Sequence, residues 1–249
     1  MVSAGENIWI YPDNLFQDNL VLDTLYEVEV KLPGNPEEPT DPEDPVDPED
    51  PEDPIDPEDP EDPRDEIELL LAATDDAEVN GVSTNRDTNY GTASLLKPKT
   101  SATGGTIRPV FIKFNKSELS EPVSEAILQL YATFGSGAEE AEYSIYGISN
   151  NNWDEETITW NTAPNQPKRV DEDIIVEDAI FLGNITFVKE ATNNDPVQYL
   201  LDITEYVKNI LGDEITIMLV DELKQDANIN IRSREHDSTR EHPMLKIIY

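Results

Sequence analysis

Ala126-Ile127-Leu128-Gln129-Leu130-Tyr131-Ala132-Thr133-Phe134 is the longest alternating run in the chain. Ala126, Leu128, Leu130, Ala132 and Phe134 fall on one side of an extended backbone, and Ile127, Gln129, Tyr131 and Thr133 on the other, the period-two pattern of a strand over a core. Strands of the same texture surround it. Leu69–Ala73 precedes it, and Val110, Ile112 and Phe114 alternate with Phe111 and Lys113. Tyr143–Ile148, Ile180–Val188, Glu214–Val220, Asn228–Arg232 and Met244–Ile248 follow. Turn chemistry separates them, at Gly104-Gly105, Gly135-Ser136-Gly137, Asn150-Asn151-Asn152 and Asn193-Asn194-Asp195-Pro196. One helix is expected, capped by Asp202 or Thr204, with Ile203, Tyr206, Val207, Ile210 and Leu211 at helical spacing before Gly212. Many short strands with one short helix predict an all-β antiparallel β-sandwich, and the span is larger than an immunoglobulin-like domain, so a jelly roll is expected.

Upstream the texture changes. From Pro36 to Pro63 a proline stands at every third position, with almost only carboxylates between. Proline fixes φ and removes a donor, so neither helix nor central strand is expected there. A polyproline II spacer over 33–66 is predicted, its proline run 36–63 spanning roughly 85 Å at about 3.1 Å per residue. Calcium or mineral binding by this acid ladder is the alternative. Before the spacer, Ile8–Tyr11 and the alternating Tyr26-Glu27-Val28-Glu29-Val30-Lys31-Leu32 read as strands too few to bury a core. Residues 1–32 are expected to be the last strands of a truncated upstream domain, or strands that pair with a partner. The single true domain is expected over 67–249.

Charge narrows the function classes. The 249-residue chain carries a net charge of −37, and residues 67–249 contribute 31 acids against 15 basic residues. Nucleic acid and anionic membrane are poor partners for such a surface. There is no cysteine, hence no disulfide or thiolate metal site. No apolar run reaches the ~18 residues of a membrane span. The first residues lack the basic start and apolar core of a signal peptide, and an excised piece of a longer extracellular protein is expected. Catalytic constellations are thin. His236 and His242 sit in polar surface stretches near the end, no GxSxG, HExxH or P-loop spacing occurs, and carboxylate pairs such as Asp154 and Glu156 read as solvated surface.

One local anomaly stands out. Between Val79 and Ser117 lie Arg86, Lys97, Lys99, Arg108, Lys113 and Lys116 against the single acid Asp87. Lys97 and Lys99 are two apart, so a strand puts them on one face. Lys113 lies opposite Ile112 and Phe114, and is expected outside. Arg232 and Arg234 likewise share a face opposite Ile229 and Ile231. With Asn89 and with Tyr90 to stack on a sugar ring, these cations would form a groove for an acidic polysaccharide. Equally, they would merely balance neighbouring acids. The residues alone leave both readings open.

Asp76-Ala77-Glu78-Val79, Asp87-Thr88-Asn89-Tyr90-Gly91 and Leu95-Leu96-Lys97, then Phe111–Phe114, Ala126–Tyr131, Trp153 with Thr157-Ile158-Thr159-Trp160-Asn161-Thr162-Ala163-Pro164, Leu201–Thr204, and Ser233-Arg234-Glu235 before Pro243 form an ordered set. In combination it resembles the DNRLRE-type domains, carbohydrate-binding module family 96, over about Leu69 to Tyr249. Pro109 stands where that family has an ordinary strand residue. The resemblance implies a non-catalytic β-sandwich module appended to secreted bacterial enzymes, notably alginate lyases, and to cell-surface proteins. Its expected partner is an alginate-like polyuronate, which agrees with the basic segment, and the module is expected to be secreted and monomeric. The expected carbohydrate-binding residues are Arg86, Asn89, Tyr90, Lys97, Lys99, Arg108, Lys113, Arg232 and Arg234. Trp153 and Trp160 are expected to pack a loop against the sandwich. No organic cofactor is expected. A structural calcium on Asp75, Asp76, Asp202 and Glu235 is an open expectation, set against ordinary turn and cap acids. The rival reading is a structural or adhesive module of a bacterial surface stalk.

Overall fold

In chain order the elements are β1 (Glu68–Ala72), β2 (Asp75–Glu78), β3 (Leu95–Leu96), β4 (Lys99–Thr100), β5 (Ile107–Arg108), β6 (Val110–Asn115), β7 (Glu125–Ser136), β8 (Glu140–Ile148), β9 (Lys168–Val170), β10 (Asp173–Ile175), β11 (Ala179–Val188), β12 (Val197–Asp202), α1 (Thr204–Asn209), β13 (Glu214–Val220), β14 (Asn228–Arg232) and β15 (Met244–Ile248). They come from a computed structural model that describes residues 67–119, 122–137, 139–189 and 195–249. The strands expected at Ile8–Tyr11 and Tyr26–Leu32, and the proline spacer, lie outside the described residues.

Two antiparallel sheets face each other, as the alternation predicts. The second is ordered β11-β8-β13-β6-β2. The first is built around β7. β12 pairs with β7 from Ile127 to Ala132, so β14, which meets residues 132–136, and β15, which meets residues 125–129, both lie along the opposite edge. β14 and β15 are therefore two halves of one strand line, interrupted by the insertion 233–243. β3 and β1 close the outer edge beside each half. The inward residues of β7 (Ala126, Leu128, Leu130, Ala132) meet Tyr143, Ile145, Phe187, Ile217 and Leu219 from the facing sheet in one core.

The loop expected to pack through Trp153 and Trp160 forms a third layer. Segment 149–176 folds back over the far side of the second sheet, and Trp153, Ile158, Trp160 and Ile174 cover Ala77, Phe111, Met218 and Val220. β6 and β13 are thus buried on both faces, which explains why β13 reads Ile-Thr-Ile-Met-Leu-Val without polar alternation, while the edge strand β11 leaves Ile180 and Phe181 exposed. Trp153 and Trp160 are packing residues, each 8% exposed. The Trp153 indole N–H donates to Thr216 Oγ1 at 3.0 Å. Gly91 is required where loop 80–93 crosses this layer, since a Cβ there would lie 1.8 Å from the Glu155 carbonyl oxygen.

The layer also corrects the placement of Lys113. Its side chain does leave β6 on the face opposite Ile112, but that face is roofed, and the residue is 5% exposed. Its ammonium donates to the Trp153 carbonyl, sits 4.6 Å from the Trp153 ring centroid, and lies 3.8 Å from Asp75 Oδ2. A cation in that position is a structural plug.

The helix is one and a half turns, shorter than its apolar spacing suggests. Asp202 accepts from both the N–H and the hydroxyl of Thr204 at 2.9 and 2.6 Å, which turns the chain into α1. Tyr206 then packs over Gly147, where a Cβ would meet the ring at 2.3 Å.

Candidate functional site

The edges of the two sheets meet where β2, β3 and the insertion 233–243 come together, and carboxylates close that seam. Asp76 and Glu78 leave β2 on the side of Ile112 and Val110, toward the sandwich interior. Asp76 Oδ2 accepts from the Arg234 N–H at 2.8 Å, and Glu78 Oε2 from the Lys97 N–H at 2.6 Å. Asp221 Oδ2 accepts from the Thr100 N–H at 3.1 Å. Each acid satisfies a backbone donor that no strand pairing reaches.

Four of the expected cations gather along this seam. Lys99 and Arg108 are register partners across the β4–β5 hairpin. Arg108 Nη1 lies 3.9 Å from Glu78 Oε1, and Lys99 Nζ lies 3.7 Å from Asp226 and donates to Asn228 Oδ1 at 3.3 Å. Arg232, opposite Leu95 of β3, donates to Glu241 Oε2 at 3.1 Å. Lys97, two residues beyond Leu95, is exposed; its charge acts on Glu78, and among the described residues it makes no close ion pair. Burial pushes the Glu78 carboxyl up, and Arg108 beside it pulls it back. Glu78, 5% exposed, therefore fixes the backbone of Lys97 and the head of Arg108 together.

The other expected residues are placed differently. Asn89 is spent internally: its amide donates to the carbonyls of Glu155 at 2.6 Å and Ile158 at 2.8 Å, tying loop 80–93 to the third layer. Arg234 does not share the face of Arg232. Its guanidinium turns onto Glu155 and, at 3.4 Å, onto Glu235. Arg86 is exposed, with Nε donating to the Gly81 carbonyl at 2.9 Å, and Tyr90 is half-buried, its hydroxyl accepting from Asn85 Nδ2 at 3.2 Å. Among the seven expected cations, Lys99, Arg108, Lys113, Arg232 and Arg234 have an acidic partner, so charge balance accounts for part of the basic segment.

Around Arg234 the structure assembles a cluster that the sequence did not reveal whole. Of the acids expected as calcium ligands, Asp75, Asp76 and Glu235 lie around Glu155 and Arg234, while Asp202 stands apart at the start of α1. The Arg234 guanidinium supplies the positive charge between Glu155 and Glu235, and among the described residues no group of three or more acidic or histidine side chains is placed to hold a metal ion. Asp76 is fully buried, with Oδ1 lacking a hydrogen-bond partner. Burial, with Glu235 and Glu155 nearby, pushes its carboxyl up to about 8. The partners Glu78, Glu155 and Glu241 were missed. Only the Asp76, Glu78 spacing hinted at two acids on one strand face.

A model of the family described as carbohydrate-binding module family 96 matches residues 68–249. No curated protein matches. Among solved structures, the chain is similar to the Eiger TNF from S. frugiperda, at 9% identity, covering 74% of this chain and 91% of that one with a TM-score of 0.27.

Proposed function

Since the chain belongs to carbohydrate-binding module family 96, we propose that its module holds an acidic polysaccharide, alginate or a similar polyuronate, along the seam of Lys97, Lys99, Arg108 and Arg232, and so attaches a secreted polysaccharide-degrading enzyme to its substrate. The observation that carries this reading is Lys97: exposed, free of any close ion pair among the described residues, and held near Arg108 by the buried carboxylate of Glu78, with Lys99 and Arg232 on the neighbouring strands. Arg86 and Tyr90 form its margin.

The acidic partners of Lys99 and Arg232 do not forbid this. Partly exposed ion pairs are worth about 0–1 kcal/mol each, so a uronate carboxylate can replace Asp226 or Glu241 at little cost. Arginine offers a planar fork to each carboxylate and lysine a point charge. Affinity must then be the sum of several modest contacts.

Electrophoresis through gels containing alginate, pectin or a neutral glucan tests the reading. Retardation by alginate is expected, weakening as salt rises toward about 1 M, where the screening length is ~3 Å. Replacing Lys97 and Arg232 together by Ala should abolish it while the melting temperature holds. Free migration through all three gels would favour a structural or adhesive module instead.

A further inference from the structure

The outward face of the first sheet was left unexplained by the seam. Leu128, Leu130 and Ala132 point into the core, so Gln129, Tyr131 and Thr133 point out. Register places Gln198 opposite Tyr131, Leu200 opposite Gln129 on the β12 side, and Asn230 opposite Thr133 on the β14 side. Ile231 pairs with Ala132, so Arg232 follows on beside Tyr131. Neighbouring side chains are thus about 4.8 Å apart across strands and about 7 Å apart along them.

The chemistry of this face is unusual for so acidic a chain. Around Tyr131 it offers amides, a hydroxyl and one aromatic ring, with Arg232 and Lys97 of the seam to one side and the Lys246–Glu68 ion pair farther along, beside Ile127. Tyr131 is half-buried, and among the described residues nothing satisfies its hydroxyl; the Asn230 amide is likewise without a partner. Gln198 Nε2 donates to Gln129 Oε1 at 3.3 Å, which leaves the Gln129 NH2 and the Gln198 carbonyl to bond outward. Leu200 is exposed beside them, Met244 is half-buried on the other side of Gln129, and the exposed Leu70 lies farther off across β15, a small and scattered apolar area for a stable protein interface. A ligand bearing many hydroxyls and one apolar ring face meets such a surface better than a protein does.

We propose that the sugar rings of the bound polysaccharide lie on this face, packed against Tyr131 and hydrogen-bonded by Gln129, Gln198, Asn230 and Thr133, while the seam holds its carboxylates. The face adjoins the seam cations at Arg232. Its link to an acidic chain rests on the reading of the seam given above. Charge then supplies reach and salt dependence, whereas the face supplies ring recognition, through aromatic packing and amide pairing that salt hardly screens.

Titration calorimetry of the whole chain with alginate and with a neutral glucan, at low and high salt, separates the two. Tyr131→Ala should weaken alginate binding about tenfold with the salt slope unchanged, and Lys97→Ala should flatten the slope. Gln198→Ala with Asn230→Ala serves as the second variant should Tyr131→Ala melt early. Tyr131→Ala and the amide variant both binding as the original would overturn the proposal and leave the seam standing. Loss of alginate binding in neither seam variant, with neutral glucan bound through Tyr131, would overturn the seam and keep the face. A dimer in sedimentation that Tyr131→Ala dissolves would make this face a self-association surface and end the proposal.

Discussion

Asp76 sits where four carboxylates and one guanidinium converge from β2, the third layer and the insertion 233–243: Asp75, Asp76, Glu155, Glu235 and Arg234, with Lys113 paired to Asp75 and His242 acting on Glu235. Its carboxyl rises from 3.8 to about 8 because burial disfavours the charge. The folded module keeps a proton that the unfolded chain has released, so stability falls as pH climbs between about 4 and about 8 and levels off above. The slope is about 1.4 kcal/mol per pH unit for one such proton. Glu78, Glu155, Asp221 and Glu235 are also pushed up by burial and act with the same sign. Asp76→Asn keeps an acceptor for the Arg234 N–H and replaces the proton by an amide. Its unfolding free energy should depend less on pH, and a urea series at pH 5 and pH 8 matching the original chain would refute this. The seam cations were legible as a charge anomaly. The acids that organise them were not, because Lys99 meets Asp226 and Arg108 meets Glu78 from remote parts of the chain that only folding joins.

β7, β14 and β15, with one dry face each, fall where alternation puts them, and β13, dry on both, falls where its apolar run does. β3, β4 and β5 are two residues each, too short for any period to register. β12 was passed over because Leu200 breaks its alternation and the helix signal follows at once. The outer placement of Lys113 failed for a related reason, since alternation says which face a side chain takes but not what covers it. Trp153 is the fastening of that cover. Trp153→Ala should cost about 3–5 kcal/mol by removing the ring from Phe111 and Lys113. Trp153→Phe should cost about 1 kcal/mol by losing the bond to Thr216. Chemical denaturation of both variants decides whether the third layer belongs to the cooperative core, for an Ala variant as stable as the original would make it a loose flap.

Residues 67–249 carry 31 acids and 15 basic residues, so the folded module repels itself. Added salt should raise its melting temperature by screening that repulsion and at the same time weaken the proposed contact of the seam with a polyuronate. Calorimetric melting and affinity gels over one salt series check the opposite trends, and parallel trends would contradict the charge assignment. The first and last strands of the module pair, Glu68 opposite Ile248, so its closure joins the most distant parts of this domain and should make folding slow. That pairing also sets how the module bears a load. Its two ends emerge side by side from one end of an antiparallel pair, so tension between residues 67 and 249 opens the β1–β15 ladder one rung at a time, like a zipper. A tether of this build yields at low force, and it gives way from its own margin while the central strands stay shielded.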